Sequence, residues 1–191
     1  DGTASHGWQV HPDVPTVQGP LLPAAGRIFS GDVRVVGASR TDAGVHALRQ
    51  TVALTATSAL APESVQSALN AYLPRGVRVP AARDATTGFD ARRAAFGKRY
   101  AYLIDNSPVA SPLLLRYAWH VPGRLDLPAM RSALAALRGP HDFSAFRAAP
   151  GREALPVCHV RAIHVLARHG RVALLISADR FLHHMVRNIV G

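Results

Sequence analysis

The sequence predicts an α+β fold with a mostly antiparallel sheet, and three observations carry that prediction. Strand-like and helix-like stretches follow one another as strand, helix, strand in each half of the chain. Residues 98–104 alternate with the period of a half-buried strand, which puts Tyr100, Tyr102 and Ile104 on one face. Residues 163–167 and 172–177, joined across His169-Gly170, read as a β-hairpin.

Taken in order, the elements follow from local chemistry. Pro12, Pro15, Pro20 and Pro23 make a long regular helix hard to place before Arg27, despite the apolar pair Leu21-Leu22. Val33, Val35 and Val36 then form a strand, and residues 50–55 form a second. Between them lies Gly37-Ala38-Ser39-Arg40-Thr41-Asp42-Ala43-Gly44-Val45-His46-Ala47, a connection holding a carboxylate, a guanidinium and small residues. Gly44 gives its backbone the freedom that either a tight turn or a close ligand requires. Pro62-Glu63 opens a helix whose apolar residues Val65, Ala68, Leu69 and Tyr72 share one face and which Pro74 ends. Residues 76–83 read as a short strand, and residues 106–121 as a connection. Asp126 caps a helix running through Met130, Leu134 and Leu137, with Gly139-Pro140 as its stop. After the hairpin the chain turns helical from Arg180, and no close repeat or low-complexity segment interrupts this order.

Composition narrows the function. A chain of 191 residues that is 48% hydrophobic can bury a real core. Its net charge of +10 and pI near 11.3 attract polyanions, with nucleic acid as the leading partner. Lys98 is the only lysine, so arginine carries nearly all of that charge. Cys158 stands alone, which excludes an intramolecular disulfide and a thiolate metal cluster and leaves it a packed or idle thiol. No apolar run has the length of a membrane span and no secretory leader is present, so a cytoplasmic site is expected. No helix-turn-helix or zinc-finger spacing supports a general DNA-binding domain. No glycine-rich phosphate loop is present, and no cofactor is expected. His183 and His184, as neighbours on a helix, would point about 100° apart, and without Cys or carboxylate partners at zinc spacing no metal is expected.

Spacing alone allows two readings of Asp42: a surface turn in which Arg40 pairs with it, or a carboxylate set in a pocket. Trp8 is likewise either a core anchor or a base-stacking ring. Arg40-Thr41-Asp42-Ala43-Gly44-Val45-His46-Ala47 resembles the active-site motif of the TruA family of tRNA pseudouridine synthases. Gly7-Trp8-Gln9, Thr16-Val17-Gln18, Lys98-Arg99-Tyr100-Ala101-Tyr102 and the closing His183-His184-Met185-Val186-Arg187-Asn188-Ile189-Val190-Gly191 resemble further family motifs in family order.

That resemblance implies a pseudouridine synthase fold: two similar α/β halves around one extended sheet, with the active-site cleft between them. The halves are expected at residues 1–88 and 89–191. It implies an isomerase that converts uridine to pseudouridine at positions 38, 39 and 40 of the tRNA anticodon stem-loop, acting as a homodimer. Asp42 becomes the nucleophile, attacking either C6 of the base or C1′ of the ribose. Arg187 keeps Asp42 ionised and oriented, Tyr100 stacks on the target base, and Arg40 engages the RNA backbone beside the extruded nucleotide. Asp1-Gly2 resembles the end of a strand and Val190-Gly191 falls inside a helical stretch, so a fragment is expected. Ser39 and Arg49 stand where the family has glycine, and Asp90 where it has histidine; Asp90 would repel a phosphate unless Arg92 or Arg93 compensates. The rival from another class is a catalytically silent RNA-binding module using the same basic cleft, which needs the arginines and not the aspartate.

Overall fold

In the computed structural model, which describes residues 1–148 and 155–191, the strands are hydrogen-bonded as two sheets. The chain divides into two units, Asp1–Ala95 and Phe96–Gly191, and each carries one sheet. The result is a mixed α/β architecture in which every strand pairing but one is antiparallel.

In the first unit, β1 (Ser30–Gly37) pairs with β2 (Val52–Thr57), and Gly37↔Val52 is the last pair before the Asp42 connection. A helix does form in the proline-rich segment: α1 spans Gln18–Gly26. Pro20 sits in its first turn, where a backbone N–H has no intrahelical partner. Pro23 removes one hydrogen bond, and burial of Leu21, Ala24 and Ala25 offsets that loss. α2 (Pro62–Tyr72) has the expected bounds, with proline in its first turn and an extended Leu73 before Pro74. The core joins Trp8, Leu21, Ala25, Phe29, Val35, Leu69 and Leu73. Trp8 is 4% exposed, so its ring is a core anchor and not a free stacking surface.

The strand expected at residues 76–83 is absent. Gly76 lies in a turn instead, and from Val79 onward side-chain amides of α2 take the places of a partner strand. Asn70 donates to the Val79 carbonyl at 2.8 Å and accepts from its N–H at 2.9 Å, while Gln66 donates to the Val79 and Pro80 carbonyls at 3.2 and 2.7 Å. One carboxamide thereby satisfies both main-chain groups of Val79, and Pro80 has no N–H to offer a ladder. A four-residue helix, α3 (Ala91–Ala94), closes the unit, capped by Asp90.

The second unit orders its strands β4-β3-β7-β6-β5, with β3 (Lys98–Asp105), β4 (Trp119–His120), β5 (Gly139–Asp142), β6 (Val157–Arg168) and β7 (Arg171–Ala178). Tyr100, Tyr102 and Ile104 turn inward and Arg99, Ala101 and Leu103 outward, as the alternation predicts. The hairpin turn has φ of 48° at His169 and 71° at Gly170, both positive as the twist of a two-residue hairpin demands. β6 starts well before residue 163 and carries a register shift between Val160 and Ala162.

α4 (Leu127–Ala135) is capped as expected, Asp126 accepting from the Ala129 N–H at 2.9 Å. The residues taken as its stop, Gly139-Pro140, instead begin β5. β5 lies at the edge of the sheet, where a proline that cannot donate is tolerated. α5 (Met185–Val190) starts later than Arg180, because His184 holds a left-handed φ of 59° at its N-terminus. Ile104, Val165, Val172 and Leu174 pack with Leu134 of α4, and Phe143, Val160, Ile176, Leu182 and Met185 pack beside them. Cys158 is fully buried in that second group, a packed thiol. Among the described residues no helix is long and apolar enough to cross a membrane.

The end of β3 anchors the connection that follows. Asp105 is 2% exposed and accepts from the Ser107 hydroxyl at 2.6 Å, the Ser107 N–H at 3.2 Å and the Ser111 N–H at 2.9 Å. The Ser107 hydroxyl first, then the Ser111 N–H, hold its carboxyl below the ordinary aspartate value of 3.8 against the opposing effect of burial. A carboxyl depressed in the folded state contributes stability above its unfolded pKa and loses it as pH falls through the folded one. Thermal melts of Asp105→Asn against pH are therefore expected to start lower than wild type at neutral pH and to converge with it below about pH 4. Curves that stay parallel in acid would remove Asp105 from the account.

Candidate active site

Residues 38–51 leave the sheet between β1 and β2, and main-chain bonds fix their course. The Ala38 N–H donates to the Thr51 carbonyl at 2.9 Å, and the Gln50 side chain donates to the Ser39 carbonyl, closing the neck of the loop. The tip is braced by the first residues of the chain. Trp8 N–H donates to the Thr41 carbonyl at 3.1 Å, Gly44 N–H to the Ser5 carbonyl at 3.1 Å, and Gly2 N–H to His46 Nδ1 at 3.0 Å. Inside the loop, the Val45 N–H donates to the Asp42 carbonyl at 3.2 Å.

Two glycines let these pieces approach. Gly7 has φ +91°, and a Cβ there would sit 2.4 Å from the Thr41 carbonyl oxygen. At Gly37 a Cβ would meet the Trp8 ring at 2.6 Å. Asp42 is thus half-buried on a loop whose backbone is held from both sides, and Arg40, two residues earlier, projects into solvent. Gly7-Trp8-Gln9 was visible in the sequence as a motif; its role as the brace of the Asp42 loop was not, since the partners lie more than thirty residues apart.

In the second unit Tyr100 sits mid-strand on β3, opposite Ile176, and its ring meets Phe181 edge-on at 4.9 Å. Phe181 carried no recognisable signal beyond its place just before the His-His motif. Arg187 is exposed on α5, which packs against β3. α5 is held by fully buried Met185 and by Asn188, whose side chain donates to the Phe146 carbonyl at 3.0 Å. His183 and His184 precede α5 rather than lying in it, and their rings face each other at 4.0 Å with a tilt of 31°. The 100° divergence of helical neighbours therefore does not describe them. Tyr100 and Arg187 lie on touching elements of one unit; Arg40 and Asp42 belong to the other.

The three departures take these positions. The Ser39 hydroxyl donates to the Arg40 carbonyl at 3.1 Å, and Arg49 is exposed. Asp90 accepts from the N–H groups of Arg92 at 2.8 Å and Arg93 at 3.0 Å, the latter being the first cause of a carboxyl held below its ordinary value. Its charge is spent on capping α3, with the guanidinium of Arg93 nearby.

A family model described as tRNA pseudouridine synthase matches residues 2–92 and 133–191. The chain is 42% identical over 191 residues to tRNA pseudouridine synthase A of Methylacidiphilum infernorum (isolate V4), covering all of this chain and 75% of that protein. It is 42% identical over 192 residues to the protein of that name from Neisseria gonorrhoeae (strain NCCP11945), covering 72% of it. Against that from Thermoanaerobacter sp. (strain X514) the identity is 37% over 191 residues, covering 78%.

Proposed function

Because this chain belongs to the tRNA pseudouridine synthase family, we propose that it isomerises uridine to pseudouridine at positions 38, 39 and 40 of the tRNA anticodon stem-loop, with Asp42 as nucleophile. One observation carries the reading: the family match runs through both stretches that hold the proposed pair, residues 2–92 with Arg40 and Asp42 and residues 133–191 with Arg187.

The chemistry asks little of the protein beyond a positioned carboxylate. The bond from ribose C1′ to uracil N1 breaks, the same sugar carbon joins C5, the proton on C5 leaves and N1 takes one up; atoms and electrons balance without redox partner or energy source. Asp42 attacks C6 of the base or C1′ of the ribose, and in either case one hard step becomes two easier ones. Arg187 stabilises the charged form of Asp42, Tyr100 stacks on the extruded base beside C5, and Arg40 holds the RNA backbone. The cleft runs between the halves 1–88 and 89–191. The enzyme works as a homodimer in the cytoplasm and uses neither metal nor cofactor. A loop fixed by main-chain bonds supports this reading, because a nucleophile must be held in place before the substrate arrives.

Carbodiimide modification and primer extension on an unmodified tRNA transcript test it. New stops confined to the anticodon arm are expected. Stops elsewhere would overturn the assigned region, and binding without any stop would favour the silent RNA-binding module.

A further inference from the structure

The backbone of β3 does not by itself fix the direction of the Tyr100 ring. On β7 the cross-strand partner of Tyr100 is Ile176, which is fully buried and stands opposite Ile163 of β6 in turn. On the other side β4 pairs only with Ile104 and Asp105, so at Tyr100 no strand among the described residues pairs with that edge of β3. A strand leaves a tyrosine two common χ1 rotamers, and a side-chain neighbour has to select one.

Phe181 stands where such a neighbour is needed. Its ring centroid lies 4.9 Å from that of Tyr100 with the planes at 80°, a separation and angle at which a T-shaped aromatic pair attracts. A perpendicular pair covers at most one face of the tyrosine, so Phe181 by itself does not use up the surface on which a base would stack.

The segment that carries Phe181 is held by groups other than its ring. The chain leaves β7 at Ala178, and Asp179 ties it back to β6: the His159 N–H donates to the Asp179 carboxylate at 2.8 Å, and the Asp179 N–H donates to the His159 carbonyl at 3.2 Å. The Arg180 N–H donates to the same carboxylate oxygen at 2.7 Å. Beyond Phe181, Leu182 and Met185 are buried, and the His183 carbonyl accepts from the Ala148 N–H at 3.2 Å. The half-buried Phe181 ring packs against the core cluster that contains Ile176, the same residue that lies beside Tyr100 in the sheet. The backbone on both sides of Phe181 therefore keeps its course without the ring, and the ring is left to act on Tyr100.

We propose that Phe181 is a positioning residue that acts through Tyr100, setting the rotamer in which that ring meets the target base. The inference rests on the reading of Tyr100 given above.

The test compares wild type with Phe181→Leu and Phe181→Tyr in single-turnover pseudouridine formation on an unmodified tRNA transcript, in Kd for the same RNA, and in the χ1 populations of Tyr100. The last are read from side-chain couplings in protein carrying isotope-labelled tyrosine, with Tyr100→Phe assigning the signals. In Phe181→Leu the rate is expected to fall about tenfold, the upper range of what one aromatic pair is worth. Kd should stay within about twofold, because phosphate contacts dominate affinity. Tyr100 is expected to hold one rotamer in wild type and to average over two in Phe181→Leu. Phe181→Tyr keeps the ring and should restore the single rotamer and a rate within about threefold of wild type. An unchanged rate or an unchanged rotamer in Phe181→Leu would overturn the proposal. So would a loss in Phe181→Tyr as large as that in Phe181→Leu, or a loss carried by Kd instead of the rate. Phe181→Ile provides the same comparison should Phe181→Leu fail to fold. Absence of pseudouridine with wild type would refute the reaction, and the Tyr100 rotamers would still decide whether Phe181 sets the ring.

Discussion

Asp42→Asn is expected to lower turnover on tRNA by on the order of 10⁴-fold or more, the scale on which removal of a covalent nucleophile acts. Asparagine keeps the size and the main-chain environment of the aspartate. The turn through Asp42 is closed by a backbone bond from Val45, and the neighbouring braces at Thr41 and Gly44 are also main-chain, so the substitution leaves the bonds that set the course of the loop in place. What is lost is the anionic oxygen. Affinity for tRNA should hold or rise slightly, since one negative charge is removed from a surface that binds phosphates. Single-turnover pseudouridine formation together with filter binding reads both quantities. Turnover near the wild-type rate would remove Asp42 from the mechanism; loss of turnover with an equal loss of binding would make it a structural residue of the loop.

Gly7→Ala should produce the second large effect, through the backbone. At φ +91° an L side chain is strained by about 1–3 kcal/mol, and a Cβ placed 2.4 Å from the Thr41 carbonyl adds an overpacking cost of about 1–3 kcal/mol. The atom that must give way belongs to the residue just before Asp42. A displacement near 1 Å at a nucleophile lowers turnover on the order of 10²-fold. The expected result is therefore a lower melting temperature and a lower rate together, with tRNA affinity retained. Gly26→Ala is the control, because a Cβ there meets nothing within 4 Å. Equal behaviour of the two variants would mean that the brace between residues 5–8 and the Asp42 loop carries no weight.

Much of the fold was legible because its signals are local. The polarity of residues 98–104 has the two-residue period of β3, Pro62 and Pro74 bracket α2, and His169-Gly170 supplies the positive φ values of the hairpin turn. The misreadings share a cause. Val77 and Val79 look like strand residues, yet the groups that satisfy Val79 come from Asn70 and Gln66. Gly139-Pro140 looks like a terminator, yet the edge of a sheet accepts it. His183-His184 looks helical, yet one left-handed residue delays α5.

The candidate site divides in the same way. The Arg-Thr-Asp motif, its carboxylate and the chemistry open to it were carried by the sequence alone, together with the polyanion partner implied by a charge of +10. Only the tertiary structure decided that residues 2–8 clamp that motif, that Trp8 is core, and that Phe181 flanks Tyr100. Local patterns report which face a residue turns to its own element. Which distant backbone group or charge then meets that face is fixed only when the chain closes on itself, because every buried N–H and carbonyl must find a partner and close packing allows few arrangements that supply them all.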